Sequence, residues 1–112
     1  MKKLVTAIVL GTLPVSAFAD FSCSTKVTAV LVYADGSVNV FTAVRNDYTY
    51  VCNLETPRLG IEVTTCAMWT AALFDAKKSA SNIGLYYSGS GSCVTLATYS
   101  GSPAPYYLGP AP

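Results

Sequence analysis

The hydrophobic period of this chain changes twice, and those changes limit its fold more than any motif does. Lys26 to Tyr33 (KVTAVLVY) is a β-branched, apolar run, and Ala34-Asp35-Gly36-Ser37 interrupts it before SVNVFTAV resumes. Asp-Gly between two such runs predicts a hairpin with a type I′ turn, which needs positive φ at both central residues. Strands are therefore expected at 25–34 and 37–45. Arg45-Asn46-Asp47 reads as a second turn, and Tyr48 to Leu54 alternates with period two, placing Tyr48, Tyr50, Cys52 and Leu54 on one face.

After the loop containing Pro57 and a short Ile61-Glu62-Val63 segment, the period becomes helical. Thr64 or Thr65 is the expected N-cap, and Trp69, Ala72, Leu73, Ala76 and Ala80 then share one stripe. Lys77 and Lys78 occupy the later turns, where the helix dipole favours cations. Ser81-Asn82 and Gly84 end the helix. Strands follow at Ile83–Tyr87 and Val94–Tyr99, separated by Ser88-Gly89-Ser90-Gly91-Ser92. Beyond Ser100, Pro103, Pro105, Pro110 and Pro112 exclude a central strand. The 101–112 segment is expected to be a mobile tail, unless Tyr106-Tyr107-Leu108 folds back as an apolar clip or docks on a partner.

The order is thus β-β-β-α-β-β, mainly β with one helix. It suits a small five-stranded barrel of OB type whose open end is plugged by the Trp69/Leu73 stripe, packed against residues such as Leu31 and Leu85. A helix laid across an open antiparallel sheet uses the same order.

The first residues describe targeting rather than fold. Lys2-Lys3, an apolar run from Leu4 to Leu13 and Ala17-Phe18-Ala19 before Asp20 form a secretory signal pattern. Its apolar run is shorter than the roughly 20 residues a membrane span needs. Cleavage after residue 19 of 112 leaves 93 residues, with a barrel domain expected over 20–100. A domain that small gains much from covalent staples. Cys23, Cys52, Cys66 and Cys93 are even in number in an exported chain, which implies two disulfides in one of three connectivities. Cys52 ends a strand and Cys66 begins the helix, whereas the start of the first strand meets the end of the fourth in such a barrel. The pairs 52–66 and 23–93 are therefore preferred.

Chemistry is sparse. The chain has no histidine and no CxxC pair, so a zinc, redox or Ser-His site is not expected, nor is any cofactor. Asp35, Asp47, Glu55 and Glu62 lie in or beside turns and read as solvated surface. Five basic residues (Lys26, Arg45, Arg58, Lys77, Lys78) face six acidic ones after cleavage, with no basic stripe for nucleic acid. Eight tyrosines in so small a chain are suited to recognition, because each pairs an apolar face with a hydroxyl. Tyr86 and Tyr87 must point to opposite faces of their strand. Trp69 is expected in the core or at a subunit contact.

At Tyr50-Val51-Cys52, Cys66, Trp69…Leu73…Ala76 and Ile83-Gly84-Leu85-Tyr86-Tyr87-Ser88-Gly89, the chain resembles the B subunits of AB-type bacterial toxins related to subtilase cytotoxin and typhoid toxin. It also resembles small exported bacterial proteins carrying the Tyr-x-Asp-Gly-x-Val pattern found at Tyr33–Val38. The toxin resemblance covers about half the mature chain, as an order of features more than as identity. It implies an OB barrel that forms a homo-oligomeric ring and binds cell-surface glycans, while the signal pattern makes the protein periplasmic or secreted and the missing catalytic groups make it non-enzymatic. Tyr87 takes the position of the glycan-contacting aromatic; Ser22, Ser24 and Thr25 can each stand where such subunits use a first-strand serine, with no motif marking one, and Ser24 and Thr25 are taken as the candidate contacts. The alternative is a monomeric periplasmic structural or inhibitor protein that docks on a protein partner.

Overall fold

The computed structural model describes residues 20–111; the signal peptide expected over 1–19 lies outside them. The elements are β1 (Phe21–Val32), β2 (Ser37–Thr42), β3 (Asp47–Asn53), α1 (Val63–Ser79), β4 (Asn82–Tyr87) and β5 (Tyr107–Pro110). The strands form one open antiparallel sheet in the order β3-β2-β1-β4-β5.

β1 organises the sheet because its two halves serve different neighbours. Phe21–Lys26 pair with β4, and Val27–Val32 pair with β2. Between them the register shifts by one residue, leaving Thr28 unmatched. Such a bulge bends and twists a strand and changes which residues face inward. Cys23, Thr25 and Val27 are buried before it, whereas Val30 and Val32 afterwards lie opposite Val40 and Val38. A second bulge at Val51 breaks the strict alternation expected in β3. Cys52 and Thr49 lie opposite the buried Val38 and Val40, so Tyr48 and Tyr50 do not share Cys52's face.

The first hairpin also differs from expectation. Gly36 N–H donates to Tyr33 O (2.9 Å) and Tyr33 N–H to Ser37 O (2.8 Å), with positive φ at Gly36 (91°) but not at Asp35. This is the turn-plus-bulge form, in which a single left-handed residue suffices. Asp35 accepts from both the Ser37 hydroxyl and its N–H, which holds the Asp35 carboxyl below its ordinary pKa.

α1 begins after Glu62, with Thr64 and Thr65 inside its first turn, so neither caps it. Placing Cys66 in the core opposite Cys52 sets where that turn starts. Trp69, Leu73 and Ala76 follow Cys66 on the buried face, whereas Ala80 is exposed and closes the helix in the left-handed conformation (φ 57°). Ser81 N–H then bonds Ala76 O at 3.0 Å, a C-terminal pattern usually built on glycine. The helix packs on β1, β3, β4 and β5. Leu85 is buried there, but Leu31 is not, since it sits 37% exposed near the hairpin end of β1.

The largest correction concerns the fifth strand. Val94–Tyr99 is irregular, and β5 comes instead from the proline-rich segment, with Leu108 buried opposite Leu85. The prolines confine it to the sheet's edge. Residues 94–106 cross to the opposite edge on the way. Thr49 and Tyr99 form a parallel bridge, Tyr50 N–H donates to Ser102 Oγ (3.0 Å), and Arg45 Nε donates to Leu96 O (2.7 Å). Residues 101–110 therefore belong to the domain rather than forming a separate tail.

Disulfides join Cys23 to Cys93 (Cα–Cα 5.7 Å) and Cys52 to Cys66 (5.5 Å). The first ties the irregular segment to β1, and the second ties α1 to β3.

Candidate functional site

The three residues marked by the sequence do not converge. Tyr87 is buried with only 1% exposure, its ring stacked on Phe21 at 5.1 Å and 16°, and burial pushes its phenol pKa up. β4 alternates Ile83, Leu85, Tyr87 inward, and the pairing of Tyr87 with Phe21 continues that face. Thr25 is also buried; its hydroxyl donates to Lys26 O (3.1 Å) and accepts from Val44 N–H (3.0 Å), holding β1 to the second turn. Ser24 is exposed on the other face and accepts from Asn82 Nδ2 at 3.3 Å. Tyr87 and Thr25 are core residues, and neither offers a surface contact.

The outward parity of β4 instead presents Tyr86, and the register with β5 sets Tyr107 opposite it. Their rings stack at 5.0 Å and 11°. Tyr106 adds an edge at 6.2 Å and 62°, and its N–H donates to Tyr86 O at 2.6 Å. Tyr106 is 72% and Tyr107 53% exposed, an unusual concentration of solvent-facing aromatic surface.

One carboxylate holds this platform. The Tyr86 hydroxyl donates to Asp20, whose other oxygen accepts the Gly89 N–H at 3.1 Å. These bonds favour the ionised acid and the neutral phenol, so the Asp20 pKa is lowered and that of Tyr86 raised. Asp20 thereby clasps the start of β1 to the end of β4.

Beside the platform lies a cleft of about 380 Å³. Leu59, Gly60 and Ile61 form one wall, Ala104, Pro105 and Tyr106 the other, and Ser88 also lines it. Reciprocal backbone bonds between Arg58 and Ile61 (3.0 and 2.9 Å) close a tight turn in which Leu59 and Gly60 both have positive φ. Positive φ at leucine is uncommon, and here it leaves Leu59 66% exposed at the cleft. Arg58 points elsewhere. Its guanidinium lies 3.8 Å from the Tyr50 ring centre and donates to Tyr50 O (3.2 Å) and Ser102 O (2.6 Å). Burial lowers its pKa from a value so high that it stays charged.

The cleft lining is therefore uncharged, and the clasped acid lies beside Tyr86. Such a surface can stack the apolar face of a ring-shaped ligand and exchange hydrogen bonds through Ser88, tyrosine hydroxyls and backbone groups. Among the described residues no group of three or more His, Cys, Asp or Glu could hold a metal ion. Compared with protein-family models, curated proteins and solved structures, the chain shows no match to any of them.

Sequence reasoning passed over Tyr86 and Asp20. The signal available was alternation, which requires one of Tyr86 and Tyr87 to face outward; the phase is set by β1, whose inward residues are fixed by Cys23.

Proposed function

We propose that this chain is an exported, non-enzymatic binding module whose tyrosine platform recognises a neutral sugar ring in a cell-surface glycan. The observation that carries the reading is the stacked Tyr86–Tyr107 pair with Tyr106, exposed beside an uncharged cleft and an anionic clasp. Tyrosine faces suit sugar C–H surfaces, and a carboxylate beside them disfavours anionic sugars. Two disulfides fit an oxidising compartment. The bend of β1 between two partner strands and the parallel bridge of Tyr99 to β3 support a partly open barrel of OB type.

Glycan-array screening followed by titration of a retained neutral oligosaccharide tests this reading. Tyr107→Ala and Tyr106→Ala should each weaken binding by about tenfold, as expected for loss of one aromatic contact, with melting little changed. Retention of sialylated glycans alone, or undiminished binding by the double variant, would refute it.

A further inference from the structure

We infer that the exposed edge of β1 beyond Thr28 pairs antiparallel with the same edge of a second copy, forming a two-fold dimer. This inference is independent of the glycan reading. β4 accompanies β1 only as far as Lys26, and β2 occupies one side of Val27–Val32. No backbone or side-chain hydrogen bond among the described residues reaches the other side of Ala29–Val32. The donation from Tyr33 N–H to Ser37 O shows that Tyr33, Leu31 and Ala29 turn their backbone groups toward β2. In an antiparallel ladder alternate residues point the other way. Val30 and Val32 therefore present their N–H and C=O groups at the open edge.

The side chains there are apolar. Leu31, Val32 and Tyr33 are 37%, 46% and 42% exposed and, with Val30, line an open groove of about 410 Å³. Natural edges are blunted by lysine, proline, bulges or covering segments. From Ala29 to Ala34 there is no charge and no proline, and the bulge at Thr28 precedes the stretch rather than interrupting it, so its regular part is left open to another strand.

The identity of that strand follows from complementarity. A two-fold axis normal to the sheet at Leu31 sets Leu31 opposite its own copy and Val30 opposite the copy's Val32, so both free residues exchange paired bonds. The charges bounding the stretch have opposite sign, Lys26 before it and Asp35 after it. Antiparallel pairing brings each toward the other's counterpart, whereas parallel pairing would set like beside like.

The test is sedimentation of the exported protein from about 1 to 100 μM, a span that resolves micromolar association, with hydrogen exchange at both ends. A concentration-dependent dimer with Val30 and Val32 amides protected only at high concentration is expected. Leu31→Asp and Leu31→Lys should each weaken association at least about tenfold, since like charges then face each other across the axis, and mixing the two should restore a dimer. Melting at the dilute end should match the parent protein, and the parent's exchange pattern needs no variant. A monomer throughout, with Val30 and Val32 exchanging freely, would overturn the inference. So would dimers that persist in both variants, or a larger ring, because an isologous edge closes at two copies.

Discussion

Trp69 and Phe74 are aromatic residues on the same helix with opposite surroundings, and the contrast gives a test of where the core lies. Trp69 is 8% exposed and packs with Leu73 and Ala76 over the sheet, whereas Phe74 is 47% exposed. A buried Trp removes about 200 Å² from water, worth about 5 kcal/mol at 25 cal/mol per Å². Measured truncations of buried Phe or Trp to Ala fall at about 3–5 kcal/mol. Roughly half as much area is hidden at Phe74, and the gain of about 0.5 kcal/mol in helix propensity on going to alanine offsets part of its loss. Trp69→Ala should therefore cost about 3–5 kcal/mol and Phe74→Ala about 1–2 kcal/mol. In a domain of this size each kcal/mol shifts Tm by about 4–8 °C, so melts followed by circular dichroism would separate the variants widely. The parent's indole emission should be blue-shifted and move red on unfolding. Equal losses in the two variants, or a Trp69→Ala protein that melts with the parent, would show that the helix does not cover the sheet through Trp69.

Other substitutions probe the remaining supports. Replacing Cys23 and Cys93 together by alanine should cost about 4 kcal/mol, and replacing Cys52 and Cys66 about 3 kcal/mol plus a packing loss, because the loops differ on a chain-entropy account; their separations are 70 and 14 residues. Denaturant unfolding measures both, and non-reducing peptide mapping that recovers Cys23–Cys52 or Cys23–Cys66 would refute the pairing. Gly36→Ala places a methyl 2.6 Å from Asn53 Oδ1 and 2.9 Å from Glu55 N at φ 91°. It should destabilise by about 1–3 kcal/mol, and an unchanged Tm would be incompatible with that turn. The lowered pKa of Asp20 means that its clasp contributes at neutral pH and is lost as pH falls through the folded value, below the ordinary 3.8. Protection of the Gly89 amide should fall over that acid range and be weakened at pH 7 in Asp20→Asn. Constant protection in both tests would mean that the clasp does not form.

Local patterning is where the sequence was informative. Asp35-Gly36 marked the first hairpin, the 3.6 period marked α1, and Ile83–Tyr87 lies within β4. Each is settled by nearby residues. The misplaced features depend on distant ones. The bulges at Thr28 and Val51 insert one residue without any Gly or Pro to advertise it, and each reverses the inward face of the residues that follow. Val94–Tyr99 has good strand composition, yet the cystine at Cys93 and the bonds of Leu96, Ala97 and Ser102 draw it across β3 as an irregular segment. Strand propensity does not encode that competition.

The candidate site was legible as composition and illegible as position, for the same reason. A tyrosine pair on one strand must divide between core and surface, but β4 alone carries no information on which residue goes where. The decision is made when Cys23, fixed inward by its bond to Cys93, sets the phase of β1, and β1 passes that phase to β4 through the pairs Cys23–Leu85 and Phe21–Tyr87. Tyr86 is then outward, and an edge strand is needed before it has a partner. Proline content argued against a strand at the C-terminal end, although an edge requires hydrogen bonds on only one side, and Leu108 gains burial opposite Leu85 by joining. The segment that brings Tyr106 and Tyr107 to Tyr86 is thus held by one buried leucine and a short ladder, with the Asp20 clasp at the far end of Tyr86. Leu108→Ala should accordingly release β5 and disperse the platform while the helix and the disulfide-tied strands persist, a separation that loss of exchange protection at Gly109, opposite Gly84, with retention at Leu85, which pairs with Cys23 of β1, would reveal.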